Sequence, residues 1–130
     1  MINRTLLSSI VVISVCSSTA LAQKESRWPR VRDYGGALPQ NENRWMSGLN
    51  YPSDALSKGL QGNVIVSFDI TVDGRVRNCV VTSSSGIRSL DRVPCPLLEK
   101  NARFKPATGD SGPVATRGSY SVAFWLPTSQ

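Results

Sequence analysis

The sequence predicts a small α+β domain, a three-stranded antiparallel or mixed sheet with two helices on one face, in the order helix, strand, strand, helix, strand. Apolar and polar residues alternate over Val64–Ile70 and again over Tyr120–Leu126, which is the period of a strand with one buried face. Between these segments, Cys95, Leu98 and Ala102 recur at i, i+3 and i+7, which is the period of an amphipathic helix.

The N-terminal segment has the organisation of a secretory signal peptide. Met1–Thr5 carries a single charge, an apolar run follows it, and Ala20–Ala22 supplies the small residues that a signal peptidase reads. We therefore predict a signal peptide over residues 1–22, cleavage after Ala22, and a periplasmic protein. One alternative is an uncleaved inner-membrane anchor, which the many Ser and Thr residues of the segment disfavour. Lipid attachment at Cys16 is another, which the bulky preceding Val15 disfavours.

The rest of the chain has room for one modest domain. Residues 23–49 mix Arg, Trp, Pro and Gly without periodicity, so we predict an irregular lead-in segment there and the folded domain over 50–127. Hydrophobic residues make up 40% of the chain, which suits a globular core. A domain this small is only marginally stable, so a covalent cross-link would contribute substantially.

The first helix is predicted directly after Tyr51–Pro52. Ser53 is placed to accept hydrogen bonds from the amides of the first turn, and Ala55 begins a short apolar face. Gly59 and Gly62 are expected to end this helix before the first strand begins.

A hairpin is predicted next, because Asp73–Gly74 is typical of the tight turn between two antiparallel strands. The return strand should run over about Arg75–Ser83, with Cys79 and Val81 on the same face. The run Ser83–Gly86 then predicts a turn out of the sheet.

The second helix is predicted within Leu90–Phe104. Pro94 and Pro96 are compatible only with its first turn, whose amides have no partner within a helix, so regular helix should begin near Pro94 or Cys95. The helix is predicted to end at Lys105–Pro106. A polar loop over Thr108–Pro113 and a last strand over about Ala115–Leu126 are predicted to follow.

The order of elements predicts the topology of the sheet. A hairpin, a helix and a third strand build a split crossover, in which the second and third strands run parallel with the first strand between them. The last strand is therefore expected at an edge of the sheet. This arrangement also brings Cys79 close to Cys95 at the start of the second helix.

Cys79 and Cys95 are predicted to form a disulfide, because Cys16 leaves with the signal peptide and an exported chain folds in an oxidising compartment. Closing this loop would stabilise the fold by roughly 3 kcal/mol. Two thiols in a chain without His are too few ligands for a zinc site, and a redox pair is usually spaced C-x-x-C.

Several short motifs together resemble the C-terminal domain of TonB. They are, in chain order, Tyr51-Pro52 with Ala55, Gly62-x-Val64-x-Val66-x-Phe68, Asp73-Gly74-x-Val76, Ser84-Ser85-Gly86, Leu90-Asp91, Arg103-Phe104-x-Pro106-Ala107, Gly112-Pro113-Val114 and Val122-x-Phe124. Each motif alone is common, but their order and spacing over roughly residues 50–127 are specific. The resemblance is to an exported energy-transducer-like protein without the proline-rich spacer, and the cysteine pair resembles a feature of one branch of the family.

The resemblance implies protein binding as the function. The TonB domain grips a short peptide segment of outer-membrane transporters, the TonB box, by strand addition, and an unpaired edge strand offers the free amides and carbonyls that this requires. Asn50 is included because the residue before the Tyr-Pro pair contacts the peptide in similar proteins. The expected partner-binding residues are therefore Asn50, Tyr120, Ser121, Val122, Ala123, Phe124, Trp125 and Leu126.

The alternation within the last strand divides these residues between two faces. The side chains of Tyr120, Val122, Phe124 and Leu126 are expected to fill the core, so the strand's backbone and the outward side chains Ser121, Ala123 and Trp125 would carry the binding. On the open face, Ile65, Val80 and Trp125 could form an apolar strip. Trp28 or Trp45 of the lead-in segment, or a second copy of the chain in a homodimer, could cover that strip.

Other functions are less consistent with the sequence. Catalysis and a cofactor are not expected, because the chain has no His, no G-x-S-x-G motif and no phosphate-binding glycine loop. The formal net charge of +6 suits a binder of anionic cell-envelope polymer, whereas nucleic acid is an unlikely partner of an exported chain. A short membrane-anchored energy transducer is the remaining alternative, and it requires that the N-terminal segment is retained.

Overall fold

The computed structural model describes residues 28–126. The predicted signal peptide and its cleavage after Ala22 lie outside these residues, as does the start of the lead-in segment. Within them, the elements in chain order are β1 (Arg32–Asp33), β2 (Leu38–Pro39), a 3-10 turn (Glu42–Arg44), α1 (Ser53–Ser57), β3 (Gly62–Ile70), β4 (Val76–Ser83), α2 (Arg88–Asp91), α3 (Pro94–Asn101), β5 (Phe104–Lys105), β6 (Ala107–Gly109), β7 (Gly112–Val114) and β8 (Thr116–Phe124).

The main sheet has the strand order β1-β8-β3-β4, with antiparallel neighbours throughout. β3 therefore lies between β4 and β8, which run parallel to each other, as the predicted crossover requires. The register between β3 and β8 is unbroken from Gly62 opposite Phe124 to Ile70 opposite Thr116. The predicted α+β class with helices on one face of the sheet is confirmed, and the short β1 adds a fourth strand that the sequence pattern does not reveal.

The first helix and the hairpin are close to their predicted positions. Pro52 occupies the N-cap of α1 and no side chain caps the helix, so the predicted capping role of Ser53 is wrong. Gly59 has a φ of +64° and ends the helix, with the Leu60 amide donating to the Ala55 carbonyl at 2.8 Å. Gly74, with a φ of +78°, forms the turn between β3 and β4.

The second helix begins where the prolines predict and ends earlier than predicted. Pro94 is in the first turn of α3, but the helix stops at Asn101 because Ala102 adopts an extended backbone. Phe104–Lys105 then pairs with Leu38–Pro39 of the lead-in segment as a two-stranded ladder. The predicted helix through Phe104 is therefore wrong, since pairing with a distant segment overrides the local pattern.

Two further connections differ from the prediction or add to it. The predicted polar loop over Thr108–Pro113 is wrong, because β6 and β7 form a small hairpin there. Before α2, the Asp91 carboxylate accepts hydrogen bonds from the hydroxyls of Ser84 and Ser85 and from the Ser85 amide. Burial opposes ionisation of Asp91, but these hydrogen bonds lower the pKa of its carboxyl below the ordinary value.

The hydrophobic core lies between the helices and the inner face of the sheet. Its fully buried members include alternate residues of β3, residues from α1, α2 and α3, and Trp45 of the lead-in segment. Trp45 packs against the rings of Tyr120 and Phe104, with centroids 5.2 and 5.0 Å away. The lead-in segment is thus built into the core. Within residues 28–126, no helix has the length and apolar character needed to cross a bilayer.

The disulfide between Cys79 and Cys95 is present and links β4 to the start of α3. The two Cα atoms are 5.5 Å apart, within the ordinary range for such a bond. Val81 lies opposite Val66 of β3, on the same helix-covered face as Cys79, as predicted. The cross-link therefore joins the sheet to the helix that covers it.

Candidate functional site

The last strand, β8, is fully paired on one side and only partly paired on the other. Its inner side pairs with β3 along the whole strand. On the outer side, Arg32 of β1 lies opposite Tyr120 and Asp33 opposite Ser119, and the Ser121 amide donates to the Val31 carbonyl at 3.0 Å. The prediction that the last strand lies wholly unpaired at the edge of the sheet is therefore wrong for its first half.

Two polar contacts and a ring contact hold β1 in place. The Val31 amide donates to the hydroxyl of Ser121 at 2.8 Å. The Arg32 guanidinium forms an ion pair with Glu42 at 2.7 Å and lies 5.9 Å from the ring centroid of Tyr120. These contacts come from the lead-in segment, whose sequence has no periodicity. The alternation pattern therefore does not indicate β1.

Tyr34 anchors the chain directly after β1. Its ring packs edge-on against Trp45 and Phe104, with centroids 5.6 and 5.1 Å away, and its carbonyl accepts a hydrogen bond from the Thr116 hydroxyl at 3.1 Å. Burial raises the pKa of the Tyr34 phenol well above its ordinary value, and the nearby Glu42 raises it further. The uncharged ring thus ties the lead-in segment to the core.

The second half of β8 has no strand partner on its outer side within the described part of the chain. Because the Ser121 amide points outward, the antiparallel pattern directs the backbone N–H and C=O of Ala123 outward as well, and those of Val122 and Phe124 towards β3. Beyond the ladder, the Leu126 amide donates to the Gln61 side-chain oxygen at 2.6 Å. Gln61 therefore holds the chain beside β3 past the last ladder pair.

Side chains of β8 alternate between the two faces as predicted. Tyr120, Val122 and Phe124 are buried in the core, whereas Ala123 and Trp125 are exposed, Trp125 to 64% of its surface. Burial raises the pKa of the Tyr120 phenol. These positions leave the backbone of Ala123 accessible beside a large exposed aromatic ring.

Trp45 does not cover the predicted apolar strip on the open face. Val80 is 51% exposed there, while Trp45 is completely buried on the opposite, helix-covered face. The Trp45 indole N–H donates to the Asn41 side-chain oxygen at 2.9 Å, which satisfies its polar group inside the core. The prediction that Trp45 could cover the open face is therefore wrong.

Asn50 is connected to the end of β8 through its neighbour Tyr51. It is exposed and directly precedes Tyr51, whose ring packs edge-on against Phe124 with centroids 5.8 Å apart. The Tyr51 phenol donates a hydrogen bond to the Leu60 carbonyl, and burial raises its pKa. The structure thus brings Asn50 to the same end of the sheet as Ala123 and Trp125.

The opposite edge of the sheet, along β4, is held to α3 at Cys79. The Cys79 amide donates to the Glu99 carboxylate of α3 at 3.3 Å, and the adjacent disulfide ties the strand to the same helix. Asn78 has a φ of +53°, and the register of β4 against β3 shifts there and again near Val81. Bulges and a covering helix are ordinary means of protecting an edge strand from further pairing.

A shallow groove of about 650 Å³ lies at the other end of the sheet, lined in part by Arg77 and Arg117. Asp69 sits between them, 3.8 Å from the Arg117 guanidinium and 2.8 Å from the donating Asn78 amide group. The carboxylate offsets part of the positive charge there, so the groove is not a simple anion site. Among residues 28–126, no group of three or more metal-ligating side chains converges.

Three residues of this region are missed by the sequence pattern. Val31 and Gln61 contact the edge strand through single hydrogen bonds, which leave no periodic signal. Asn41 connects the lead-in segment to α3 and β5, since its side chain bonds to the Asn101 carbonyl at 2.9 Å and to the Arg103 amide at 3.0 Å. The local sequence signal for the start of β1 is Pro29, since proline interrupts β pairing.

The fold and the partly open edge define the class of protein. It is a small α+β domain whose sheet is covered by helices on one face and cross-linked to one of them by a disulfide. Residues 47–126 match the family model described as the Gram-negative bacterial TonB protein C-terminal domain. The chain therefore belongs to the TonB C-terminal domain family.

Known proteins agree with this assignment. A curated relative, Protein TonB of Xanthomonas campestris pv. campestris strain B100, is 33% identical over 91 residues, which are 70% of this chain and 40% of the relative. The chain thus matches less than half of that protein's length. The solution structure of the Pseudomonas aeruginosa TonB C-terminal domain is 28% identical, with a TM-score of 0.57, and the match covers 73% of this chain and 91% of that one.

A second solved structure supports the fold. The solution structure of the Helicobacter pylori TonB C-terminal domain superposes with a TM-score of 0.52 at 21% identity, covering 68% of this chain and 78% of that one. At this identity the similarity concerns the architecture alone.

Proposed function

We propose that this chain is a periplasmic protein-binding module of TonB-dependent transport, which recognises an extended peptide by adding it to the open half of β8. The proposed partner is a peptide segment of the TonB-box type at the periplasmic side of an outer-membrane transporter. The observation that carries the proposal is the outward backbone of Ala123, which lies on a strand segment without an outer strand partner within residues 28–126.

The contrast between the two edges of the sheet supports this location. Along β4, the Cys79 amide is already bonded to Glu99, and backbone bulges interrupt the register. Along β8, only the half that faces Val31–Asp33 is occupied. An unpaired backbone donor and acceptor at a sheet edge is the feature that strand addition uses, and Ala123 presents both.

The side chains around this half suit a peptide ligand. Trp125 is 64% exposed and presents a rigid aromatic surface next to Ala123, and the exposed Asn50 adds an amide group at the same end. Aromatic residues contribute strongly to binding because they bury a large area at little entropic cost. Backbone pairing would supply affinity, and Trp125 with Asn50 would supply selectivity.

A pair of variants at position 123 tests the proposal. Ala123→Pro removes the outward amide without touching the ladder to β3, whereas Ala123→Val retains that amide and favours extended backbone. We expect Ala123→Pro to weaken binding of a transporter TonB-box peptide at least tenfold in a calorimetric titration, and Ala123→Val to bind within about threefold of wild type. Circular dichroism spectra should establish that both variants are folded.

Salt separates strand addition from attraction to anionic polymer. Binding through backbone hydrogen bonds should change little between low and high ionic strength, whereas binding through surface Arg and Lys should collapse. Equal binding by both position-123 variants, or binding that disappears in high salt, would contradict the proposed edge site.

A further inference from the structure

If the register between β1 and β8 continued past Arg32, Pro29 would lie opposite Ala123. Arg32 lies opposite Tyr120, and Val31 is hydrogen-bonded to Ser121. Since antiparallel strands advance in opposite directions, two further steps along the lead-in segment bring Pro29 level with Ala123. Positions 29 and 123 would then face each other as Val31 and Ser121 do, where the Ser121 amide donates to the Val31 carbonyl and the Val31 amide donates to the Ser121 hydroxyl.

Proline at this position cannot complete the pair. It has no backbone N–H, so it cannot donate to the carbonyl of Ala123, and proline in a sheet is confined to strand ends and edges. The ladder between β1 and β8 indeed ends at Arg32. The backbone hydrogen bond nearest to Pro29 is the one that the Val31 carbonyl accepts from the Ser121 amide. The lead-in strand thus stops one hydrogen-bonded pair before Ala123.

The part of the lead-in strand beyond Pro29 is firmly attached. Arg32 pairs with Glu42 at 2.7 Å, and Tyr34 packs between Trp45 and Phe104 while its carbonyl bonds to Thr116. A guest peptide would have to break these contacts to take the first half of β8. Pairing from Ala123 onwards requires no such displacement.

We propose that Pro29 determines the extent of the binding edge, because it stops the lead-in strand and keeps Ala123 to Trp125 free for a guest. The inference rests on the proposed peptide-binding function. A tethered strand competes with a free peptide at a millimolar effective concentration, so a lead-in strand that continued past position 29 would exclude a weakly bound guest. Pro29 therefore confines the guest to a short segment at the C-terminal half of β8.

The test compares Pro29→Val with Arg30→Val in the full chain with its disulfide formed. Pro29→Val creates a donor opposite Ala123, whereas Arg30→Val raises strand propensity equally but adds no donor there. The probe is an uncharged nine-residue peptide of alternating threonine and valine flanked by asparagine, titrated against ¹⁵N-labelled protein. Amide hydrogen exchange of each free protein is measured in parallel.

We expect the new backbone amide at position 29 of the Pro29→Val variant to exchange at least tenfold more slowly than a free amide, and the probe to bind it about tenfold more weakly than wild type. Arg30→Val should bind the probe within twofold of wild type. Unprotected exchange at position 29 together with unchanged binding would overturn the proposal, and so would resonance changes showing that the probe releases Val31–Asp33. If the wild-type protein does not bind the probe but the amide at position 29 is protected in Pro29→Val, the strand-ending role of Pro29 is supported and the proposed function is refuted.

Discussion

The backbone amide of Ser121 donates to the carbonyl of Val31 at 3.0 Å, and this bond marks the boundary between the closed and the open half of the last strand. On one side of the boundary, β1 occupies the outer edge of β8. On the other side, Ala123 presents its backbone outward. A segment that precedes the family's matched region, which starts at residue 47, therefore shapes the edge on which the proposed function depends.

Removing the disulfide should destabilise the domain without changing its fold. Replacing both cysteines, Cys79→Ser with Cys95→Ser, releases β4 from α3, and the chain-entropy model predicts a loss of roughly 3 kcal/mol in the free energy of unfolding. Urea unfolding followed by tryptophan fluorescence measures this loss. Val80→Ser, at a neighbouring exposed position, is the control and should change stability by less than about 0.5 kcal/mol. Equal midpoints for the double variant and wild type would contradict a stabilising role of the cross-link.

Trp45 and Trp125 should differ sharply in their contribution to stability. Trp45 is completely buried against Tyr120 and Phe104, so Trp45→Ala should cost about 3–5 kcal/mol through lost packing and a cavity. Trp125 is 64% exposed, so Trp125→Ala should cost less than about 0.5 kcal/mol. Thermal unfolding of both variants measures the difference. Trp45→Phe, which keeps most of the packing, gives an intermediate value if Trp45→Ala does not fold, and similar melting temperatures for all variants would refute the assignment.

The sequence predicts the elements whose signal is local. The alternation over Val64–Ile70 arises because β3 has one face in the core, and proline in the first turn locates the start of α3 at Pro94. β1 has no such signal, because two residues are too few to show a period and its partner Tyr120 lies far along the chain. The same reason applies to the helix end at Asn101, where β5 pairs with the lead-in segment.

The candidate site is predictable only in part for a related reason. The inward and outward division of residues 120–125 follows from the period of a strand, and the structure agrees with it. Leu126, which the same period predicts to fill the core, is only partly buried and is not a member of the core cluster. Which backbone groups of that strand are free depends on the position of every other segment, since pairing is a property of the whole sheet. The occupied half beside Val31 could therefore not be read from the last strand alone.

Stability should depend on pH through Asp91. Hydrogen bonds from Ser84 and Ser85 lower the pKa of the folded carboxyl below its unfolded value, against the opposing effect of burial. A lowered folded pKa adds stability that is fully present above the unfolded value, near 3.8, and is lost as the pH falls through the folded pKa. Asp91→Asn should therefore cost about 1 kcal/mol at pH 7 and progressively less below pH 4.

Denaturant unfolding of Asp91→Asn and wild type between pH 2.5 and 7 measures that dependence. Asp110→Asn, at an exposed position in the turn between β6 and β7, serves as the control and should follow the wild-type curve. A constant difference between Asp91→Asn and wild type across this range would indicate that the hydrogen bonds do not depend on the charge of the carboxylate.

Gln61 should position the end of the binding edge rather than stabilise the fold. Its side-chain oxygen accepts the Leu126 amide at 2.6 Å, two residues beyond the last ladder pair, Gly62 with Phe124. Gln61→Ala removes that acceptor, so the Leu126 amide should exchange with solvent several times faster while the free energy of unfolding falls by no more than about 1 kcal/mol. A less ordered edge loses more conformational entropy when a peptide pairs with it. The affinity of Gln61→Ala for an extended peptide should therefore be about twofold to fivefold lower than that of wild type. Gln61→Glu retains an acceptor oxygen and should restore both values, whereas exchange at Leu126 that is identical in all three proteins would exclude this role of Gln61.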